Sequence, residues 1–457
     1  MKHFIKITSI ACAIACAGVA FADSSAPATP SAADQAQMQQ KLTQLQQQLT
    51  QLNQEIAVKS KAQIKKSGFA VINNSNLGKY TAMADQSRRI ASTDQGDYFE
   101  LMPTAFELAM LQGKDTLQGD YHPLVVGGYM ETDLQYWNSQ HLNATPATSA
   151  DGSQFGMSQV NVDVLGNPND WIQIFVSTEG TNLGNTNTQN IVFEKGFVTV
   201  GDLNKSPFYI TMGKTYLSFG SFGGNGPFTN ELSKNLFRSN EMPQVILGFF
   251  QDGLAANLSV FSDTYTHSYD PDFSFNLAYT YTINKDWSYN LGASYLNDIR
   301  ATDSQLGYAF NTANAFSTAN GKNPAIDLNG ALSYKIYTLS GEYDQTLNDN
   351  YTTANVDNGK TRAWFIAGSA APQLIMSEPT TFQVTYSGAS GIKNIPNFLT
   401  NNFLNGATAN NGLKQSWIFS ASQPVLVNWF LGLEYARGRT YENANDNVYT
   451  LDSELFF

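Results

Sequence analysis

The side chains able to do acid–base or metal chemistry are few in this chain of 457 residues, and they stand apart. Its histidines are His3, His122, His141 and His267, none at metal-ligand spacing from another. His267 has Asp263, Asp270 and Asp272 for neighbours in sequence. An acid–histidine pair in an outer loop could activate water, but no third catalytic group accompanies it, so an exposed polar loop is the plainer expectation. No G-x-S-x-G, phosphate-binding loop or C-x-x-C appears. The sequence therefore predicts no enzyme, no cofactor and no resident metal.

A different chemistry is open to the cations. Lys234 and Arg238 lie four apart in a stretch that reads LSFGSFGGNGPFTNELSKNLFRSNE from Leu217 to Glu241, and Lys214 precedes it. Phe219, Phe222, Phe228 and Phe237 would be poorly placed in a fully solvated loop. Folded inward, the stretch would bury them. It would also set Lys214, Lys234 and Arg238 around a channel constriction that favours anionic solutes. Ordinary loop charges are the equal alternative.

Such a loop needs a wall, and the rest of the chain supplies one. From Leu124 onward apolar residues recur with period two, the strand signature. Val126, Met130, Leu134 and Tyr136 fall on one side; Tyr129, Glu131, Asp133 and Gln135 fall on the other. Val160, Val162 and Val164 alternate with Asn161 and Asp163, and Leu339 and Tyr343 with Glu342 and Asp344. Sixteen strands are expected, starting near residues 124, 154, 171, 190, 207, 242, 254, 273, 286, 325, 337, 360, 379, 413, 427 and 447. Connections after odd strands are long and those after even strands short. That asymmetry with an even count describes a transmembrane barrel with outside loops and periplasmic turns, and in lipid the sheet must close. Counts of fourteen or eighteen also fit the pattern. The fold class is thus an all-β antiparallel barrel over 121–457, preceded by a short helical coiled-coil segment. Glu131, Asp133, Asp163, Glu342 and Asp344 are expected to face its lumen. Tyr449, Leu451, Leu455 and the terminal Phe457 alternate as an outer-membrane assembly signal does.

The beginning of the chain sets the compartment. Lys2 and Lys6 precede an apolar run, and Ala20-Phe21-Ala22 offers a cleavage site, so residues 1–22 read as a signal peptide. Lipoprotein processing at Cys16 is the alternative. Both cysteines, Cys12 and Cys16, leave with the signal, as do two lysines, leaving 24 basic against 38 acidic residues. Bulk charge therefore draws the protein to neither nucleic acid nor anionic lipid. Charged residues make up 14% of the chain against about 25% in ordinary globular domains. Residues 23–34 read as a disordered linker. In 35–66, Met38, Leu42, Leu45, Leu49, Leu52 and Ile56 form a heptad seam, fit for homo-oligomerisation or for lying on a protein surface. Residues 67–120 connect it to the barrel, in the periplasm or in the lumen, with a short helix expected near Phe99–Leu111.

This order of parts, with FEKGFVTVGDLNKSPFYITMGKTYLSFGSF from Phe193 to Phe222, resembles the siderophore porins related to the legiobactin receptor. The resemblance implies uptake of a ferric siderophore across the outer membrane without TonB; the partners are then that solute, outer-membrane lipid and the barrel-assembly machinery. TonB-dependent receptors carry a folded plug in a barrel of about 22 strands. The segment preceding this barrel looks too small for one. General diffusion porins for small hydrophilic solutes share much of the same architecture.

Overall fold

A computed structural model describes residues 41, 44, 70–71, 75, 77, 79, 106–112, 123–139, 152–181, 190–223, 231–239, 241–262, 271–307, 322–348, 359–374, 378–392, 413–426, 428–441, 443 and 445–457. Two compact units divide the chain, Met1–Lys66 and Ser67–Phe457. In the first, Lys41 and Gln44 are helical and exposed. Residues 1–34, expected to be a signal peptide and linker, and the six seam residues lie outside the described residues.

In the second unit the period-two segments form strands. After a two-residue strand, β1 (Ala70–Val71), and a helix, α1 (Phe106–Gln112), come β2 (Leu124–Ser139), β3 (Gly152–Gly166), β4 (Ile172–Thr181), β5 (Asn190–Gly201) and β6 (Phe208–Tyr216). A second helix, α2 (Leu232–Phe237), precedes β7 (Glu241–Gln251), β8 (Leu254–Ser262), β9 (Pro271–Asn284) and β10 (Trp287–Leu296). The remainder are β11 (Ala325–Tyr334), β12 (Tyr337–Thr346), β13 (Arg362–Ala370), β14 (Thr381–Ser390), β15 (Leu413–Leu426), β16 (Trp429–Thr440) and β17 (Asn445–Phe456). Each strand from β2 to β17 pairs antiparallel with its sequence neighbours, and β17 pairs back onto β2, so sixteen strands close into a barrel. Closure removes every edge and pairs the backbone within the protein. The short connections include Asp252-Gly253, whose φ values of 50° and 81° suit a tight hairpin turn.

The two faces of the wall differ as the alternation requires. Leu291 and Leu328 are 59% and 54% exposed, while their neighbours Asn290 and Asn329 are buried inside. Outside, aromatic rings run in a belt near the long-loop end, through Trp364, Tyr386, Trp417, Phe419, Tyr435, Tyr449 and Tyr136, with successive centroids 4.4–6.2 Å apart. Trp287, Tyr334, Tyr281 and Tyr289 gather at the short-turn end. An apolar exterior between two aromatic girdles is the surface a lipid bilayer requires of a barrel.

The seam between β17 and β2 is tight. Phe457 N–H donates to Gly128 O at 3.0 Å, and Gly128 N–H donates to Phe457 O at 2.9 Å. The Phe457 ring covers Gly128, where a Cβ would meet Phe457 Cζ at 2.8 Å and Asn161 O at 2.1 Å. Beyond the chain's last residue, β1 pairs in parallel with Leu124 and Val125, extending the sheet past the end of β17.

Candidate functional site: a lumen filled from both ends

At the long-loop end the filling comes from the connection between β6 and β7. Leu217, Phe219, Phe222, Leu232, Leu236 and Phe237 are all buried, in one cluster with Ala363, Ala389, Leu413 and Ile418 of the wall. α2 packs against β12, β13, β14 and β15, on the far side of the barrel from β6 and β7. The connection thus crosses the lumen. The Phe-rich composition makes this favourable, because rings excluded from water gain about 25 cal/mol per Å² buried. Small wall residues, Ala363 and Ala389 among them, leave room for the rings.

Polar contacts lock the crossing in register. Ser221 N–H and Oγ and Phe222 N–H donate to the Glu342 carboxylate at 3.1, 2.9 and 2.6 Å. Gly220 N–H donates to Ser294 Oγ at 3.2 Å, and Leu232 N–H to Ser387 Oγ at 3.2 Å. Glu231 caps α2, both carboxylate oxygens accepting from Lys234 N–H at 2.9 and 3.0 Å. Burial, and then the charge of Glu342, push the Glu231 carboxyl up to about 8, against the opposing pull of the Lys234 amide and ammonium.

At the short-turn end the filling comes from the segment before the barrel. Leu77 and Met110 pack with Val125, Leu165, Phe175 and Phe197 of the inner wall. Leu108 and Leu111 pack with Tyr209, Ala255 and Ala278. Lys79 Nζ stands 5.7 Å from the ring centroid of Phe430. The Thr215 hydroxyl donates to the Glu107 carboxylate at the start of α1, and burial raises that carboxyl to about 7. Residues 67–120 are read from the sequence as a periplasmic or lumenal connection too small for a folded plug domain, and their described part packs inside the barrel. It escapes a size argument because α1 borrows its apolar partners from the barrel wall and needs no core of its own.

The inner wall between these fillings is acidic. Glu131, Asp133, Asp163, Glu342 and Asp344 are buried on the lumen side, joined by Asp327, Glu434, Asp452 and Glu454. Two groups of three, Glu131/Asp133/Asp452 and Asp327/Glu342/Asp344, bring carboxylate oxygens within 4.8 Å of one another.

The cations expected at a constriction do not all meet. Lys234 is buried on α2, and Arg238 Cζ stands 4.3 Å from the ring centroid of Tyr216. Lys214 is on the opposite face of β6: it alternates with buried Thr215, and its Nζ donates to Phe193 O at 3.0 Å beside the exposed Phe193 ring. Strand alternation sends Lys214 outward, so it lines no constriction. Its place is taken by Lys195, which the sequence reading missed. Lys195 Nζ is 2.6 Å from Glu194 Oε1, 3.8 Å from Glu241 Oε1 and 4.8 Å from the Tyr216 centroid. Tyr216 therefore carries a cation near its ring from both β5 and the crossing loop. A register shift in the β4–β5 pairing between Ser177 and Thr178 skips Glu194 and buries it together with Lys195. Period-two reading cannot show two consecutive inward side chains, which a bulge permits.

His122, His141, His267, Asp263, Asp270 and Phe228 lie outside the described residues. Asp272 Oδ1 accepts from Asn297 Nδ2 at 2.6 Å and Oδ2 stands 3.4 Å from Lys322 Nζ. In the last strand Tyr449, Leu451 and Leu455 are exposed on the outer face, Phe457 lies half-buried at the seam, and Phe456 is fully buried inside.

Residues 100–326 match a family described as a protein of unknown function, DUF3573. The chain is 26% identical over 220 residues to the UPF0422 protein lpl2888 of Legionella pneumophila (strain Lens), covering 44% of this chain and 41% of that protein. It thus spans about two-fifths of that relative's length. Similar solved structures include an anion-selective porin from Comamonas acidovorans (12% identity, 73% of this chain and 99% of that one, TM-score 0.47). OmpF of Salmonella typhi, in complex with daunomycin, is similar at 11% identity, 73% and 97% coverage and a TM-score of 0.48. The outer-membrane channel DcaP of Acinetobacter baumannii gives 11%, 73% and 97%, and 0.47.

Proposed function

We propose that this protein is a gated channel of the bacterial outer membrane, not an enzyme, and that it admits one class of bulky hydrophilic solute. One observation carries the reading: the lumen is crossed by the loop bearing Phe219, Phe222 and Phe237, and filled again by α1 and Leu77. A general diffusion pore needs an open path. On this reading the fillings move for passage, and a solute that binds the lumen can bias them only through contacts it makes in one state and not the other.

Uptake of a ferric siderophore without TonB, the activity implied by the family resemblance, fits such a gated route. The acidic wall narrows the class to complexes that are neutral or positively charged, in place of the anionic one that a basic ring would have favoured. Solute passage would occur with the barrel embedded through its aromatic girdles, after insertion by the assembly machinery through Tyr449, Leu451, Leu455 and Phe457. Trimer formation or pairing through the heptad segment would be compatible with it.

Planar bilayers test the reading. Single folded barrels should show small or rare conductance steps, and a neutral or cationic ferric siderophore should alter the current saturably. Steady ohmic conductance with non-saturating passage of sugars would establish the general diffusion pore instead. A strain lacking the protein should grow poorly on that siderophore in iron-poor medium.

A further inference from the structure

The geometry points to a calcium-type divalent cation site inside the barrel, formed by Asp327, Asn329, Glu342 and Asp344 of the wall with Ser233 of the crossing loop. This goes beyond the transport reading and depends only on the barrel and its inward loop. Asp327 and Asp344 are direct cross-strand partners, as are Asn329 and Glu342, so the four side chains form one patch on the inner face. Oxygens of the three carboxylates all lie within 4.8 Å of one another. Oxygens this close can share the shell of one cation, and a set made wholly of protein oxygens, with an amide and a hydroxyl among them, suits Ca²⁺ better than Mg²⁺, which keeps several waters.

Acidic side chains near each other do not by themselves make a site. The neutral groups beside them add the second observation. Ser233 is fully buried at the start of α2, with its hydroxyl directed at the Asp344 carboxylate. Asn329 is 9% exposed; its Nδ2 donates to Asp327 Oδ1 at 2.6 Å, which fixes the amide's orientation and leaves Oδ1 unbonded. Asp344 meets the Ser233 hydroxyl, and Asp327 meets the Glu342 carboxyl. The other oxygens of the patch are engaged: Asp327 Oδ1 also accepts from Ser294 Oγ at 3.1 Å, and Glu342 is held by Ser221 and Phe222. Carboxylate oxygens of Asp327, Glu342 and Asp344, the buried Asn329 amide oxygen and the Ser233 hydroxyl beside Asp344 thus belong to one patch of the inner face. A hard cation is the ligand for such an all-oxygen set. Because Ser233 comes from the loop, the ion would fasten the loop to the far wall.

The full-length protein, folded in detergent and stripped with EDTA, should be titrated with CaCl₂ by calorimetry, and its unfolding temperature followed by heat-modifiable migration. One saturable Ca²⁺ per chain is expected, with Mg²⁺ at least tenfold weaker and a higher unfolding temperature when Ca²⁺ is bound. Asp344→Asn and Asp327→Asn should each weaken binding tenfold or more while keeping heat-modifiable migration, since each relieves like-charge crowding. Ser233→Ala should weaken it by a smaller factor. No saturable binding by the wild-type protein would overturn the proposal whatever the variants do. Binding lost in Asp133→Asn and kept in Asp344→Asn would overturn it too, placing the ion at the other carboxylate group.

Discussion

Asn290 and Leu291 are bonded neighbours that face opposite media, and a single charge tells them apart. Arg in place of Leu291 or Leu328 should cost about 2–4 kcal/mol near the bilayer midplane, read from urea unfolding of the barrel in vesicles. Arg at Asn290, buried on the acidic side where its Nδ2 now donates to Thr280 at 2.9 Å, should cost clearly less and change conductance instead. Equal losses at both would mean that the register is wrong. Glu107 supplies a pH handle. Its carboxyl rises to about 7 in the docked state from an ordinary value of 4.5, chiefly through burial. The docked helix therefore binds the proton more tightly than the released one. Docking of α1 is fully favoured below about pH 4.5 and weakens as pH rises through about 7. Beyond Cys16 the chain has no cysteine, so a lone Leu111→Cys thiol should react slowly in acid and faster above neutrality, and Glu107→Gln should remove that dependence. Facing was legible here wherever alternation is strict. It failed at Glu194 and Lys195, where a bulge breaks the alternation, and at Lys214, which nearness to the loop cations grouped with them although the pleat of β6 sends it outward beside inward-facing Thr215.

Among the elements, the strands carry their own signatures, because each must present lipid and lumen with alternate residues; the expected starts fall within two residues of the observed ones. Helices inside the barrel carry none of comparable strength. α1 is seven residues long and buries Glu107 beside Leu108, Met110 and Leu111, so its partners, scattered over β2 to β9, have no trace in the local sequence. α2 was half-legible: its phenylalanines argued for an inward loop, but the far wall it docks on could not be read from them. The last strand makes a separate prediction. Deleting Phe457 removes two seam hydrogen bonds and the ring over Gly128. Assembly should slow and periplasmic aggregate accumulate, and normal yields of heat-modifiable barrel would rule out its role as an insertion signal.

For the whole molecule the balance of charge within the barrel decides selectivity. Among the described residues of the inner wall and its fillings, Lys195, Lys234 and Arg238 stand against Glu131, Asp133, Asp163, Glu194, Asp327, Glu342, Asp344, Glu434, Asp452 and Glu454, with Glu107 and Glu231 beside them. Reversal potentials in a salt gradient should therefore show cation preference, and Lys234→Glu/Arg238→Glu should strengthen it. Anion preference in the wild-type protein would place the controlling charges in loops outside the described residues. If the barrel is gated as proposed, the two fillings also have a kinetic meaning, because they would lie in series along one passage. If they move independently, their open probabilities multiply: two doors each ajar a tenth of the time give a clear path about a hundredth of the time. Either door alone admits a molecule to the space between them without opening the periplasm to the outside. In the proposed channel the barrel would work as an airlock, and the membrane would keep its seal while cargo changes sides.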